Sequence, residues 1–234
     1  MTSSSDPAAR GRARLKQHYD ALGGGQDAEA WYEDPALDEL CKWGGFGTAR
    51  NVVEIGCGTG RFAERLLRDH MALDATYFGL DLSPVMAGLS TTRLSPFGDR
   101  CRIVSGDVVE GLPIADHSVD RVVAAFVLDL LPHQDIHNVL KEVRRVLVPD
   151  GLFCAASLAP GQTAAQRIRG LGWRIIQWLT PLRVGGCRPL SLPDLLQKDW
   201  RIQNYVQRNI KNCAVASICA QPFSTKWDDR KRVL

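Results

Sequence analysis

Three glycines alternate in the stretch VVEIGCGTGRF, at Gly56, Gly58 and Gly60, and Glu54 stands two residues before the first. Glycine at that density weakens a backbone, so the chain must turn tightly there or bring something close to its amides. A plain strand-to-helix turn needs only one glycine. The dinucleotide fingerprint G-x-G-x-x-G requires a third glycine where this chain has Arg61, and that glycine is what lets helix and strand pack closely. The amides at the helix start favour an anion such as a carboxylate. Glu54 repels pyrophosphate and suits a cation. A ligand carrying both an ammonium and a carboxylate, attached to a nucleoside, meets both demands.

Two further acids end apolar runs. Asp81 in YFGLDLS can accept from two adjacent ribose hydroxyls; otherwise it is an exposed neighbour of a helix cap. Asp107 in SGDVVEGLP can accept from an exocyclic adenine amine, with the Val108 amide offered to a ring nitrogen; otherwise it is an ordinary turn aspartate. Candidate bases follow in FVLDLLPHQDIH. Asp129 either takes a proton from an acceptor or turns the chain before Pro132. His133 and His137 are four apart and either share a helix face or sit solvated at a helix start. A two-histidine metal site needs more ligands than the neighbourhood supplies, and no metal is expected.

These residues need a sheet to hold them. NVVEIG, ATYFGLDLS, CRIVSGD, VDRVVAAFV and LFCAASLA read as five strands. GRFAERLLRD and SPVMAGLSTTRL have helical spacing, the second opening with Ser83 as cap and Pro84 at its first position. HQDIHNVLKEVRRVLVPDG reads as an amphipathic helix ended by Pro149, Asp150 and Gly151. Strand and helix in alternation predict a parallel sheet covered on both faces. LSLPDLLQKD reads as a short helix with Ser191 and Asp194 in capping-box spacing. WRIQNYVQRNI and CAVASICAQ follow with too short a link for a crossover, so they form an antiparallel pair. The expected fold class is α/β, a three-layer Rossmann-like sandwich with a mostly parallel seven-stranded sheet ending in that pair. The expected organisation is an N-terminal segment or short helix over 1–30, a domain over 31–222 with an insert at about 160–188, and a polar tail over 223–234.

The order VVEIGCGTG, YFGLDLS, SGDVVEGLPIADHSVDRVVAAFVLDLLP, VLKEVRRVLVPDGLF resembles the class I S-adenosylmethionine-dependent methyltransferases. Within them it is most similar to the quinone-biosynthesis and other small-molecule enzymes of the type 11 group. The likeness covers residues 48–158. Carried over by position, it implies S-adenosylmethionine as cofactor and S-adenosylhomocysteine as product. Glu54, Gly56, Gly58 and Gly60 would surround the methionine part, Asp81 would hold the ribose and Asp107 with Val108 the adenine, with Cys57 and Leu82 as further cofactor contacts. Ala125 and Phe126 would lie under the sulfonium. Tyr19, and Trp31 or Tyr32, would cover the cofactor from the N-terminal side.

Composition restricts the acceptor. A net charge of +3 is too small to imply nucleic-acid binding. The run AAFV after the fourth strand lacks the Asn/Asp-Pro-Pro-aromatic pattern of base-amine enzymes, and no Pro-Cys nucleophile is present. No apolar run reaches the ~20 residues of a membrane span, and the N-terminus has no apolar signal core. Seven cysteines without a Cys-x-x-Cys suit free thiols in a reducing compartment, hence a cytoplasmic protein. Between Gly151 and Pro193 there is no acid, while Arg167, Arg169, Arg174, Arg183 and Arg188 alternate with Trp173, Ile175, Ile176 and Trp178. That stretch suits a lid over an apolar acceptor, a peripheral membrane contact through 161–185, or a core helix with solvated arginines. The expected acceptor is a small, fairly apolar molecule: a quinone-like phenol, a lipid or another metabolite. Two rivals remain: a nicotinamide-dependent oxidoreductase with a similar sheet, and a non-catalytic binding or scaffold member of the fold.

Overall fold

The computed structural model describes residues 7–161 and 187–223. Most of the expected insert and of the C-terminal tail therefore lie outside the described residues. Seven strands form one sheet: β1 (Asn51–Ile55), β2 (Thr76–Asp81), β3 (Cys101–Ser105), β4 (Val119–Ala125), β5 (Leu147–Leu158), β6 (Trp200–Ile210) and β7 (Cys213–Pro222). Their order is β3-β2-β1-β4-β5-β7-β6. The first five run parallel; β7 pairs antiparallel with both β5 and β6. The chain order reverses beside β1, so a crevice opens at the carboxyl ends of β1, β2 and β4.

Helices α1 (Pro7–Leu22), α2 (Ala30–Trp43), α3 (Arg61–Arg65), α4 (Pro84–Leu94), α5 (His133–Val146) and α6 (Leu192–Leu196) complete the described part. α5 buries Ile136, Val139, Leu140 and Val143, a helical stripe, against one face of the sheet, where Val53, Ile55, Val122 and Phe153 meet it. On the other face α2 and α3 place Leu37, Leu40, Phe62 and Leu66 against Val52, Tyr77 and Val123. α1 is longer than the short helix expected from its sequence, and α2 follows it after a tight turn at Gly23–Glu29.

Two local readings are corrected. α5 stops at Val146, before Pro149, because Leu147 already pairs with Val119 as the start of β5; Pro149 also biases Val148 toward extended backbone. Ser191 precedes α6 but makes no capping bond. Ser83 does cap α4, its hydroxyl accepting from the Met86 N–H at 3.1 Å, with Pro84 in the first turn.

Candidate active site

β1 delivers the glycine loop and β2 delivers its acid. Asp81, last residue of β2, accepts the Gly58 N–H on one oxygen at 2.8 Å and the Ser83 N–H on the other at 2.9 Å. The carboxylate thus ties the loop to the strand beside it and keeps lone pairs free for further donors. Burial pushes its pKa above the usual carboxylate range, against the pull of those two N–H groups. Gly58 has φ +53°, and a Cβ there would stand 2.7 Å from Gln26 Oε1. At Gly60, with φ +78°, a Cβ would meet Ser90 Oγ at 2.6 Å. The glycines are demanded both by conformation and by what packs on the loop.

Glu54 follows Val52 on the α2 face and is 2 % exposed. The Tyr77 hydroxyl donates to it at 2.6 Å, yet burial lifts its carboxyl to about 8. Glu33 on α2 is raised to about 7, again by burial, although Arg61 donates to it at 2.8 Å. Gln26 Oε1 is buried with no hydrogen-bond partner among the described residues. Two desolvated carboxyls, Glu33 paired with Arg61 and Glu54 with Tyr77, and the unpartnered Gln26 oxygen therefore surround the loop.

Tyr19, Gly56, Gly58, Asp81, Leu82, Asp107, Val108, Ala125 and Phe126 line one cavity, joined by Leu15, Lys16 and Gln26. Cys57 and Glu54 line the adjoining polar recess with Thr59, Arg61 and Glu33. Gly60 sits behind these walls at the start of α3. Phe126 adopts φ +54°, a conformation rare for an aromatic residue, at the end of β4. Tyr32 meets its ring edge-on at 5.7 Å. Trp31 is half-exposed instead, with the Lys211 ammonium 5.9 Å from its ring centre, so only one of the two aromatics reaches the site.

Asp129 is wholly buried beyond β4. One carboxylate oxygen accepts the Leu158 N–H at 3.1 Å; the other has no hydrogen-bond partner among the described residues. Burial raises its pKa to about 7. The Tyr19 hydroxyl and the Cys187 thiol are pushed upward by burial too, and the Asp129 charge adds to both. His133 and His137 lie apart, exposed on α5 in a separate groove with Lys141 and Asp194.

Gln26, Asp27, Glu33 and Arg12 are site residues that sequence reasoning missed. Asp27 accepts from the Thr59 hydroxyl at 2.6 Å and from Arg93 at 2.6 Å, which pins the turn at residues 23–29 onto the loop.

A mostly parallel sheet with this strand order, a terminal antiparallel pair and a glycine loop followed by acids ending β2 and β3 defines the class I methyltransferase fold. Residues 52–151 match the family model described as a methyltransferase domain. The chain thus carries a methyltransferase domain over residues 52–151, within a fold shared with S-adenosylmethionine-dependent methyltransferases. It is 34 % identical over 134 residues to a phthiotriol/phenolphthiotriol dimycocerosates methyltransferase of Mycobacterium tuberculosis, a match over 57 % of this chain and 45 % of that protein. It is 32 % identical over 110 residues to the sterol 4-C-methyltransferase strm-1 of Caenorhabditis elegans, over 46 % of this chain and 31 % of the relative. The matched stretch thus spans less than half of either relative. In fold it is similar to the Burkholderia thailandensis 1,6-didemethyltoxoflavin-N1-methyltransferase, solved with 1,6-didemethyltoxoflavin and S-adenosylhomocysteine bound. The TM-score is 0.66 at 15 % identity, covering 96 % of this chain and 94 % of that one.

Proposed function

We propose that the chain transfers a methyl group from S-adenosylmethionine to a small, fairly apolar acceptor, a quinone-like phenol or a lipid. One observation carries the reading: a single cavity at the strand ends gathers the glycine loop, Asp81, Asp107 and Phe126, and its adjoining recess holds the buried Glu54 carboxyl and the unpartnered Gln26 oxygen. S-adenosylmethionine, when bound, supplies a sulfonium methyl open to in-line attack. Asp81 accepts the ribose hydroxyls while it holds the loop. Asp107 and the Val108 amide face the base. Glu54 and Gln26 receive the ammonium, and Ala125 with Phe126 floors the methionine part. Tyr19 covers the cavity from α1 and keeps water out, which alignment of the reacting atoms requires. Asp129, wholly buried with a pKa of about 7, is not among the described residues lining the cavity, and no contact with the acceptor is assigned to it.

The acceptor class is supported by the two relatives, a sterol methyltransferase and a phthiotriol/phenolphthiotriol dimycocerosates methyltransferase. It is also supported by the acid-free, tryptophan-bearing stretch 161–185, which suits a lid or a peripheral contact of a cytoplasmic protein with an anionic membrane. Calorimetric titration with S-adenosylhomocysteine and with a nicotinamide dinucleotide tests the cofactor. Binding of the first alone is expected; tight nicotinamide binding alone, or no binding of either, overturns the reading. A screen of phenols, quinone precursors and phospholipid amines with labelled cofactor then tests the acceptor.

A further inference from the structure

No residue of α1 is fully buried, and polar contacts help to seat it over the cavity. Arg12 divides its guanidinium between two carboxylates. Its Nε donates to Asp107 Oδ2 at 2.7 Å and its Nη1 to Asp135 Oδ2 at 2.7 Å. The Arg12, Asp107 and Asp135 side chains are only 16, 15 and 6 % exposed, so the pairings are largely shielded from water. Asp107 begins the loop after β3 and Asp135 lies in the first turn of α5. One arginine therefore joins α1 to the cavity-lining Asp107 and to the first turn of α5. Eight residues along the chain, Asp20 accepts from the Ser83 hydroxyl at 2.5 Å, beside Asp81. Between these two anchors Leu15, Lys16 and Tyr19 line the cavity.

The same contact governs Asp107. Its Oδ1 accepts the Val109 N–H at 3.0 Å and its Oδ2 accepts Arg12, so the carboxylate is held in one orientation. An oxygen of this kind offers two lone-pair directions, and Oδ2 keeps one for another donor. It can receive an exocyclic amine but can donate nothing to a carbonyl. We propose that Arg12 is a positioning residue for base recognition: it orients Asp107 for a purine bearing a 6-amino group and closes α1 over the bound nucleoside. The inference rests on the cofactor reading above and extends it to a residue outside the matched methyltransferase domain.

The test measures affinity and release rate of S-adenosylhomocysteine and of its hypoxanthine analogue, S-inosylhomocysteine. The full-length chain is compared with Arg12→Met, Arg12→Lys, Asp107→Asn and the Arg12→Met/Asp107→Asn pair. Arg12→Met is expected to weaken S-adenosylhomocysteine about tenfold, the size of a shielded charge-assisted bond, mainly through faster release. Arg12→Lys should recover part of the loss, since an ammonium can meet one carboxylate but not fork between two. The preference for the adenine over the hypoxanthine ligand should shrink in Arg12→Met. The double variant should bind within about twofold of Asp107→Asn, because residues acting through one group are not additive. Unchanged affinity and release in Arg12→Met, losses that multiply in the double variant, or a lowered melting temperature with base preference intact would each overturn the proposal alone. A native chain that binds no S-adenosylhomocysteine overturns the cofactor reading as well.

Discussion

Replacing Asp129 by Asn removes one ionisation from the core and leaves the side chain's shape unchanged. Burial raises the Asp129 carboxyl from 3.8 to about 7 in the folded chain. The unfolded chain gives up that proton near its ordinary value, so between those limits the folded state binds more protons. Stability contributed by the neutral carboxyl is therefore present at low pH and lost as pH rises through 7. Each pH unit in that window corresponds to about 1.4 kcal/mol. From pH 5 to pH 8 the native protein should lose about 2.5 kcal/mol relative to Asp129→Asn. Glu54 and Glu33 are raised in the same sense by burial but are common to both proteins and cancel in the difference. For a chain of this size the gap should open by about 5–10 °C in melting temperature between the two pH values. Melts of both proteins at pH 5, 6, 7 and 8 provide the assay. A difference that stays constant across that range refutes the claim that Asp129 is a buried carboxyl titrating near neutrality.

Asp81→Ala should weaken S-adenosylhomocysteine binding by about 1.5–3 kcal/mol through lost charge-assisted hydrogen bonds. It should also lower the melting temperature, since the Gly58 and Ser83 amides lose their acceptor; calorimetry that finds affinity unchanged rejects the ribose role. Gly60→Ala places a methyl 2.6 Å from Ser90 Oγ and 3.1 Å from its Cα at positive φ. It should destabilise the protein by about 2 kcal/mol or more, and denaturant unfolding that matches the native protein contradicts the loop geometry. Phe153→Ala opens a cavity beside Trp200, whose ring centre lies 5.5 Å away. A loss of about 3–5 kcal/mol is expected in chemical denaturation, with cofactor affinity in the folded protein unchanged.

The strands were legible because each is a short apolar run closed by turn residues, and the last two because their link is too short for a crossover. The glycine loop, Asp81 and Asp107 were legible because their places follow from the ends of those strands. α2 was hidden by two true signals with the wrong implication. Pro35 lies inside it, and Gly23, Gly24 and Gly25 stand before it as apparent breakers. There the burial of Ala36, Leu37 and Leu40 against the sheet prevails over local preference. The remaining site residues depend on contacts remote in sequence. Asp27 reaches Arg93 across 66 positions and Arg12 reaches Asp107 across 95, separations that no spacing rule relates. Asp129 could be named as a carboxyl after β4, but its isolation from water exists only once β5 and the residues near 187 close around it.

The space left by the missing side chain at Gly58 is taken by Gln26, held there through the neighbouring Asp27. The stretch matched by the methyltransferase-domain model begins at residue 52, so part of the loop's own wall lies some 25 positions upstream of it. The recognisable unit and the working unit are then different lengths of chain. A recombinant fragment cut at that domain boundary would keep every residue of the glycine motif and lose the surface that gives the motif its shape. Transplanting this cofactor loop into another scaffold would accordingly mean carrying two separate pieces of chain, the second of which no motif identifies.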